Sequence, residues 1–542
     1  MANIYRGAVR TVIWLGRDEG FASEAFGLIF QIFTVVEREH PEHENMLGVG
    51  GTSFDEKLHA ERGLSAVPLQ TWHSLGTLLS RPWFERLWVL QEVVLSNIDA
   101  ITICGTEECS WYVISTVCSW LVSNCYFVQG YCPGTTYNVD RMRYVCEENG
   151  ELDLPSLTFL TQEFFQATDA RDKVYGLLGL VKRDERDCIV PDYTLPPEAV
   201  YRDLARNMIC EQGNLACLGM PLGYNKHIRD PFRWAAAGIL CGGGPSWVPQ
   251  LQVHPVFFPS DQIGVINTDD GLGVQLTWPE QYRASGDVPS QVRDVPGCTG
   301  SAQLSILSLK GLEVGKVGYS FETNTNRAMH WQTEKWKQRT RFEKSSWKDW
   351  RAQALRLYGC GSGLRRPVSL TVWSAMLERW PNTKVVALAK SMCEVMACNS
   401  RIDYKSLEEA DFDDFCAYVV GVHDTSGHKF GSTARRFHTS FAVLRTHARD
   451  GIASRYDMLL EAHSHVRGCF FTEDGRLGMG PASMRKGDRV VVLFGAGTPF
   501  VLRPRKDKWL LLGDCYVSGL MAGESIEKWQ AGELQEQWFD IA

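Results

Sequence analysis

The stretch Arg81-Pro82-Trp83-Phe84-Glu85-Arg86-Leu87-Trp88-Val89-Leu90-Gln91-Glu92-Val93-Val94-Leu95 constrains the fold more than any other. Pro82 can open a helix, because its missing N–H costs nothing in a first turn. Good helix formers and apolar residues then run for about three turns without Gly or Pro. Leu87, Trp88, Leu90, Val93, Val94 and Leu95 cover most of the circumference, so the spacing predicts a largely buried helix. Glu85, Val89, Glu92 and Ser96 fall on one strip, which the plainer reading makes the face that water reaches. A sharper reading holds Arg86, Gln91 and Glu92 in a partly buried polar network, costly unless fully paired. Spacing alone favours the plainer one.

The order Arg-x-Trp-Phe-x-Arg-x-Trp-Val-x-Gln-Glu in this stretch resembles the signature of the fungal heterokaryon incompatibility (HET) domain. Three further blocks agree in order and spacing. Val12-Ile13-Trp14-Leu15-Gly16 looks like that family's strand ending in Trp-Leu-Gly. Asp169-Ala170-Arg171-Asp172-Lys173-Val174-Tyr175-Gly176-Leu177-Leu178-Gly179-Leu180 looks like its Asp-x-Arg-Asp-Lys-Val-Tyr-x-Leu-Leu-Gly block. Pro191-Asp192-Tyr193, then Val200-Tyr201-Arg202-Asp203-Leu204-Ala205, is similar to what usually follows. On this resemblance Trp14, Gly16, Arg81, Trp83, Phe84, Trp88, Asp169, Arg171, Asp172, Lys173 and Tyr175 are signature residues, expected to be mainly structural.

The resemblance implies a cytoplasmic fungal protein that acts in nonself recognition and triggers death after fusion of genetically different cells. Its implied partners are other proteins, another HET or receptor-type protein among them. The HET domain is thought to resemble the TIR domain, some members of which cleave NAD. Two family blocks that precede the Trp-Leu-Gly strand, Ser-Tyr-x-Trp-Gly and Asp-x-x-Cys-Ile-Asn-Gln, have no counterpart here, so the front part of the domain is expected to be lacking. No catalytic residue carries over; Glu92, Arg86 and Gln91 are the candidates, and enzymatic activity from the chain as written is not expected. An inactive adaptor that binds other proteins is the remaining alternative.

The residues read on their own show no other chemistry. There is no Walker loop, no Gly-x-Gly-x-x-Gly after a strand, no His-Glu-x-x-His and no Gly-x-Ser-x-Gly. Gly244-Pro245-Ser246-Trp247-Val248 ends in Val where a nucleophile elbow needs Gly. The 17 cysteines include no Cys-x-x-Cys, and Cys118, Cys125 and Cys132 at seven-residue spacing read as buried thiols. Among the 13 histidines, His463 and His465 sit in an expected strand approach with no third ligand near, so neither a metal nor a cofactor is expected. A net charge of -8 gives no reason to expect nucleic acid. No apolar run reaches the roughly 20 residues of a membrane span.

Along the chain, helices are predicted for Ala22–Glu39 (with Phe26, Ile29, Phe30 and Phe33 at helical spacing), 68–79, 110–122, 156–166 and from Pro196 to about Cys210. Strands are predicted for 9–15, 100–104 and 304–311. Residues 42–63 read as a mobile loop. Asp169 reads as an N-cap, and Asp172 as a dipole partner ion-paired to Arg171 or Lys173; the functional reading makes Arg171 or Lys173 an anion-binding group. Residues 330–358 interleave Trp with Lys and Arg and read as a solvated amphipathic helix, and 407–415 as a solvated acidic helix start. Short strands with Gly turns at 469–472, 477–481, 489–494, 500–503 and 509–513 argue for a small barrel-like module, and part of this region also resembles the C-terminal module of HET-domain proteins. The whole reads as α+β. A partial α/β (TIR-like) region with added helices is expected at 1–245, a mixed region at 246–464 and a β-rich module at 465–542.

Overall fold

The computed structural model describes residues 2–40, 56–96, 100–124, 126, 139, 142–143, 152–162, 165–181, 189–211, 213, 215–219, 245–249, 251, 264–268, 271–277, 281–294, 304–321, 362–400, 406–426, 434–464, 467–481 and 483–542. The fold is α+β. Helix α1 (Ala2–Gly7) leads to strand β1 (Val12–Trp14), after which Gly16 turns the chain at φ +103°. Asp18 then prepares a helix start: its Oδ1 accepts the N–H groups of Gly20, Phe21 and Ala22 at 2.8–3.0 Å, donors a first turn leaves orphaned. Helix α2 (Ala22–Glu39) follows and buries Phe26, Ile29, Ile32 and Val36, whereas Phe30 is exposed.

Residues 41–55 lie outside the described residues, but Glu56–Glu61, expected as loop, forms a helix, α3. Helix α4 (Leu69–Leu79) packs on α2. The signature segment departs from a single helix. Pro82–Glu85 is one 3-10 turn, Arg86 is extended at φ -82°, ψ 130°, and α5 is only Val89–Val94. The break has a partner: Arg86 forms an isolated parallel bridge with Gln166. Gln166 N–H donates to Glu85 O at 2.5 Å, and Leu87 N–H donates to Gln166 O at 2.9 Å. A long-range pairing has thus replaced a local one that propensity favoured.

Strand β2 (Ile101–Cys104) pairs parallel with β1 and antiparallel with β3 (Glu107–Ser110), which sequence patterning missed. Helix α6 (Trp111–Ser123) covers the sheet with α2. Then come α7 (Leu154–Gln162), α8 (Asp172–Tyr175) and α9 (Pro197–Arg206), which passes into a π-helical turn to Glu211.

Strands β4 (Gly264–Thr268) and β5 (Gly271–Thr277) form a hairpin, and β6 (Val292–Arg293) pairs with β7 (Leu307–Ser320). Strand β7 runs well past Gly311, its expected end. A side chain at Gly311 would meet the Val492 carbonyl at 2.5 Å, so this glycine serves close strand approach rather than a turn. Among the described residues five helices then intervene: α10 (Ser362–Arg379), α11 (Val385–Met396), α12 (Glu409–Ser426), α13 (Ala434–His447) and α14 (Ala453–Ser464). Trp373, Met392, Phe415, Phe441 and Tyr456 form their core. Asp414 is not solvated as expected; it is buried beside Arg455 at 3.0 Å. His463 lies in α14 rather than in a strand, and His465 and 330–358 are outside the described residues.

The chain returns as β8 (Arg467–Thr472), β9 (Leu477–Pro481), β10 (Arg489–Leu493), β11 (Phe500–Arg505), β12 (Lys508–Asp514), β13 (Tyr516–Val517), helix α15 (Glu524–Gln530) and β14 (Glu536–Ile541). Strands β10, β11, β12, β14 and β7 pair in that order, and β7 pairs back to β10, closing a five-stranded barrel. The far end of β7 continues into a second layer, β8-β9-β13, on which the five helices pack. Closure removes open sheet edges. The ion pairs Arg467–Asp514 at 2.6 Å and Arg503–Asp488 at 2.8 Å are buried in this half. No helix among the described residues is long and apolar enough to cross a membrane.

Barrel and N-terminal half share one core, which runs from Ile13 and Phe84 to Leu493, Phe500 and Ile541. Their junction is the Pro-Ser-Trp-Val-Pro string. Ser246 Oγ donates to Ala542 O at 2.5 Å and accepts from Leu511 N–H at 3.0 Å. Trp247 is completely buried and its indole N–H donates to Ser305 O at 3.3 Å. Trp247→Ala is expected to cost about 3–5 kcal/mol, read as a lower urea midpoint with one transition; an unchanged midpoint would place Trp247 outside the core.

Candidate functional site

The signature segment and the 169–180 block, well separated in sequence, interlock residue by residue. Trp88 lies at the start of α5, and its indole N–H donates to Asp172 Oδ2 at 3.2 Å. Asp172 Oδ1 accepts the Tyr193 hydroxyl at 2.7 Å. The expected ion pair of Asp172 with Arg171 or Lys173 is therefore replaced by two neutral donors, which keep a buried carboxylate hydrogen-bonded on both oxygens. Asp169 does not cap a long helix either. Its side chain accepts the Arg171 N–H at 3.0 Å and holds the guanidinium through Nε at 2.9 Å and Nη2 at 2.7 Å.

Arg171 is further engaged by the carbonyls of Tyr193 and Leu195, and it lies over the Tyr193 ring. Four of its five N–H donors are thus taken by the protein, which favours a structural role for Arg171 over anion binding. Lys173 is buried and its ammonium donates to the Phe165 carbonyl. Burial pushes its pKa down from 10.5 to about 7, the direction that desolvation dictates for a cation. Tyr175 packs edge-on against Tyr193 and donates to Asp192 O at 3.3 Å.

Gln91 is buried and donates through Nε2 to Gly176 O at 2.6 Å. Room for its amide depends on Gly179, where a Cβ would stand 2.9 Å from that amide. Arg6 of α1 adds a 3.1 Å hydrogen bond to the Gly179 carbonyl. Glu92 accepts the Trp83 indole N–H at 3.2 Å, and the pKa of the half-buried Tyr5 is raised by burial first and by the Glu92 charge second. Arg86 is exposed and Val89 fully buried. Val89 thus departs from the water-facing strip, while Gln91 and Glu92 are each hydrogen-bonded by the protein and Arg86 is present only through its charge beside Tyr5.

At the other end Arg81 clamps the loop after β1. It donates to Arg17 O at 3.0 Å, approaches Glu19 at 3.4 Å and covers the Phe21 ring. Trp83 packs edge-on against Phe84 and Trp111, Phe84 being fully buried. Trp14 is exposed, apart from this cluster. Sequence reasoning missed Tyr5, Glu85–Gln166 and the acceptor role of Gly176; only Tyr193 had a signal, inside the Pro191-Asp192-Tyr193 string. Among the described residues no group of His, Cys, Asp and Glu could hold a metal. What the arrangement does chemically is fix two segments against each other.

Comparison with known proteins bears on what this interlock belongs to. Residues 1–92 match the family model "Heterokaryon incompatibility protein (HET)", and residues 403–534 match the "Het-6 beta-barrel domain". Over these two stretches the chain is similar to HET-domain proteins of the heterokaryon incompatibility type. It is 24% identical to "Heterokaryon incompatibility protein 6, OR allele" of Neurospora crassa, over 97% of this chain and 78% of that relative. No solved structure matches it. The barrel takes β7 and β14 from outside the matched 403–534.

Two outcomes are expected. Gln91→Ala leaves the Gly176 carbonyl buried without this donor and should cost about 1–3 kcal/mol, whereas Arg86→Ala at the surface should stay within about 0.5 kcal/mol; denaturant midpoints of both variants compare them. Lys173 gives a pH dependence. Its folded pKa is lowered, so the unfolded chain binds more protons between about 7 and 10.5, and stability rises with pH across that window. Lys173→Met should therefore stabilise the chain more at about pH 7 than at about pH 9.5; equal gains at both would refute the buried ammonium.

Proposed function

We propose that this protein acts in heterokaryon incompatibility, the nonself recognition that ends in death when genetically different fungal cells fuse. The observation that carries the reading is the combination of an interlocked HET signature with a barrel of the Het-6 kind, along a chain similar to one curated incompatibility protein over nearly its whole length. In this reading the protein works in the cytoplasm, and its partners are other proteins, a second HET protein or a receptor-type protein among them. Residues 1–245, 246–464 and 465–542 serve as HET region, middle region and β-rich module.

Gln91 and Glu92 act as parts of the frame, because the side chain of each is engaged by the protein. The frame holds the first half in one conformation for recognition. Induced expression in a fungal host should arrest growth. Trp88→Ala, which breaks the Asp172 contact, should relieve the arrest, while Arg86→Ala should retain it. Normal growth despite full accumulation of the native chain would overturn the reading. Arrest with loss of cellular NAD, abolished by Glu92→Gln in a folded chain, would replace the frame by a NAD-cleaving site.

A further inference from the structure

Two turns share one end of the barrel. Strand β10 begins where β11 ends: Arg489 lies opposite Leu502, and the Arg503 guanidinium donates to Asp488 at 2.8 Å. That register sets the Arg485-Lys486-Gly487 turn, which leads into β10, beside the Arg505-Lys506-Asp507-Lys508 turn, which joins β11 to β12. Arg503 also reaches the Ser483 carbonyl at 2.8 Å, and Gly487 N–H donates to Val317 O at 2.8 Å. Both turns are thereby fixed to each other and to β7. Arg485, Lys486, Arg505 and Lys506 are exposed, and none of them enters an ion pair among the described residues. Of the carboxylates here, Asp488 is buried against Arg503, and Glu313 lies 3.4 Å from Arg489. Asp507 stands 3.5 Å from Lys508, and the exposed Glu473 neighbours Lys316, to whose carbonyl its N–H donates at 2.8 Å. Four cations without carboxylate partners thus stand together on a chain whose net charge is -8.

Lys506 holds φ +57°, in the left-handed region. A tight hairpin turn favours Gly, Asn or Asp at such a position, so a lysine there is strained. Strain kept at an exposed tip points to a use for the side chain. Tyr319 of β7 is 58% exposed, and the hydroxyl of its neighbour Ser320 donates to Met484 O at 3.5 Å, which brings this part of β7 beside the first turn. We propose that this end of the barrel docks on the headgroups of an anionic lipid bilayer. Two adjacent turn tips offer their cations to a plane of negative charge, where each contributes to attraction and salt weakens it. The tyrosine ring, apolar in body and polar at its tip, suits the headgroup layer. A nucleic acid fits less well. A single strand is held by successive rings on which its bases stack, and a duplex is read by an element that enters a groove; two tight turns with one exposed tyrosine supply neither.

The test is co-sedimentation of the full chain with vesicles of phosphatidylcholine, with and without phosphatidylserine. The native chain is expected to sediment with the anionic vesicles alone and to be released as salt is raised. Arg485→Gln and Arg505→Gln should each weaken binding about fivefold. Lys506→Gly should weaken it by a similar factor while its denaturant midpoint is no lower than that of the native chain, because glycine takes a positive φ without strain. That pairing of readouts separates loss of the surface from loss of the fold. Lys390→Gln on α11 removes a cation paired to Glu409 at 3.1 Å and should bind like the native chain. Absence of binding to the anionic vesicles overturns the proposal, as does equal binding to the neutral ones. So does an equal loss in Lys390→Gln, or native binding by the Arg485, Arg505 and Lys506 variants. Capture of the chain by polyuridylic acid with none by vesicles would assign the surface to nucleic acid instead.

Discussion

The hydrogen bond from the Gln91 amide to the Gly176 carbonyl ties the two most distinctive stretches of this chain together. It exists because Gly179 has no side chain, and it is buried, where an amide must be paired. Around it stand Trp88 on Asp172, Tyr193 on Asp172 and Arg6 on the Gly179 carbonyl. Each donor serves an acceptor distant in sequence, so none of these bonds could form in an isolated segment. The network selects one docking of the 169–180 block against the signature, since a shift would leave several buried polar groups unmade at once.

The interlock also explains why the signature is not one helix. A helix through residues 82–95 would have kept the Glu85 carbonyl and the Leu87 N–H in local hydrogen bonds. Instead the backbone opens to meet Gln166 on both sides, and the short pieces on either flank point Trp83 and Trp88 to different carboxylates. The sequence order Trp-x-x-x-x-Trp-x-x-Gln-Glu is thus written for a bent segment with four contacts rather than for a helical stripe. Energetically, the aromatic burial supplies most of the stabilisation, and the polar contacts fix the geometry.

Much of the fold could be read from patterning. Helix α2 begins and ends where periodicity placed it, and the strands β8 to β12 of the barrel and its second layer follow their Gly turns closely. These elements obey local rules: period, turn chemistry and breakers. What patterning could not reach is non-local. The extension of β7 past Gly311 follows from the approach of β10, the break at Arg86 from Gln166, and the burial of Asp414 from Arg455. At the candidate site the residue types were legible but the partners were not. Arg171 finds Asp169 and two carbonyls, and Lys173 a carbonyl, where charge counting along one helix suggested Asp172.

The barrel is assembled from strands on both sides of a long helical insertion, β7 before it and β14 after it. Ser246 bonds to a residue 296 positions later, and Ser308 to one 232 positions later. Such separations make loop closure slow relative to helix formation. During synthesis β7 leaves the ribosome with only the two-residue β6 to pair with, and most of both edges stays open while helices α10 to α14 are made. The barrel cannot close, and the N-terminal half cannot gain its docking surface, until β14 is released. A nascent chain therefore carries open β7 edges until β14 is made, the condition that favours edge pairing between chains, and the closed barrel needs translation carried through to β14.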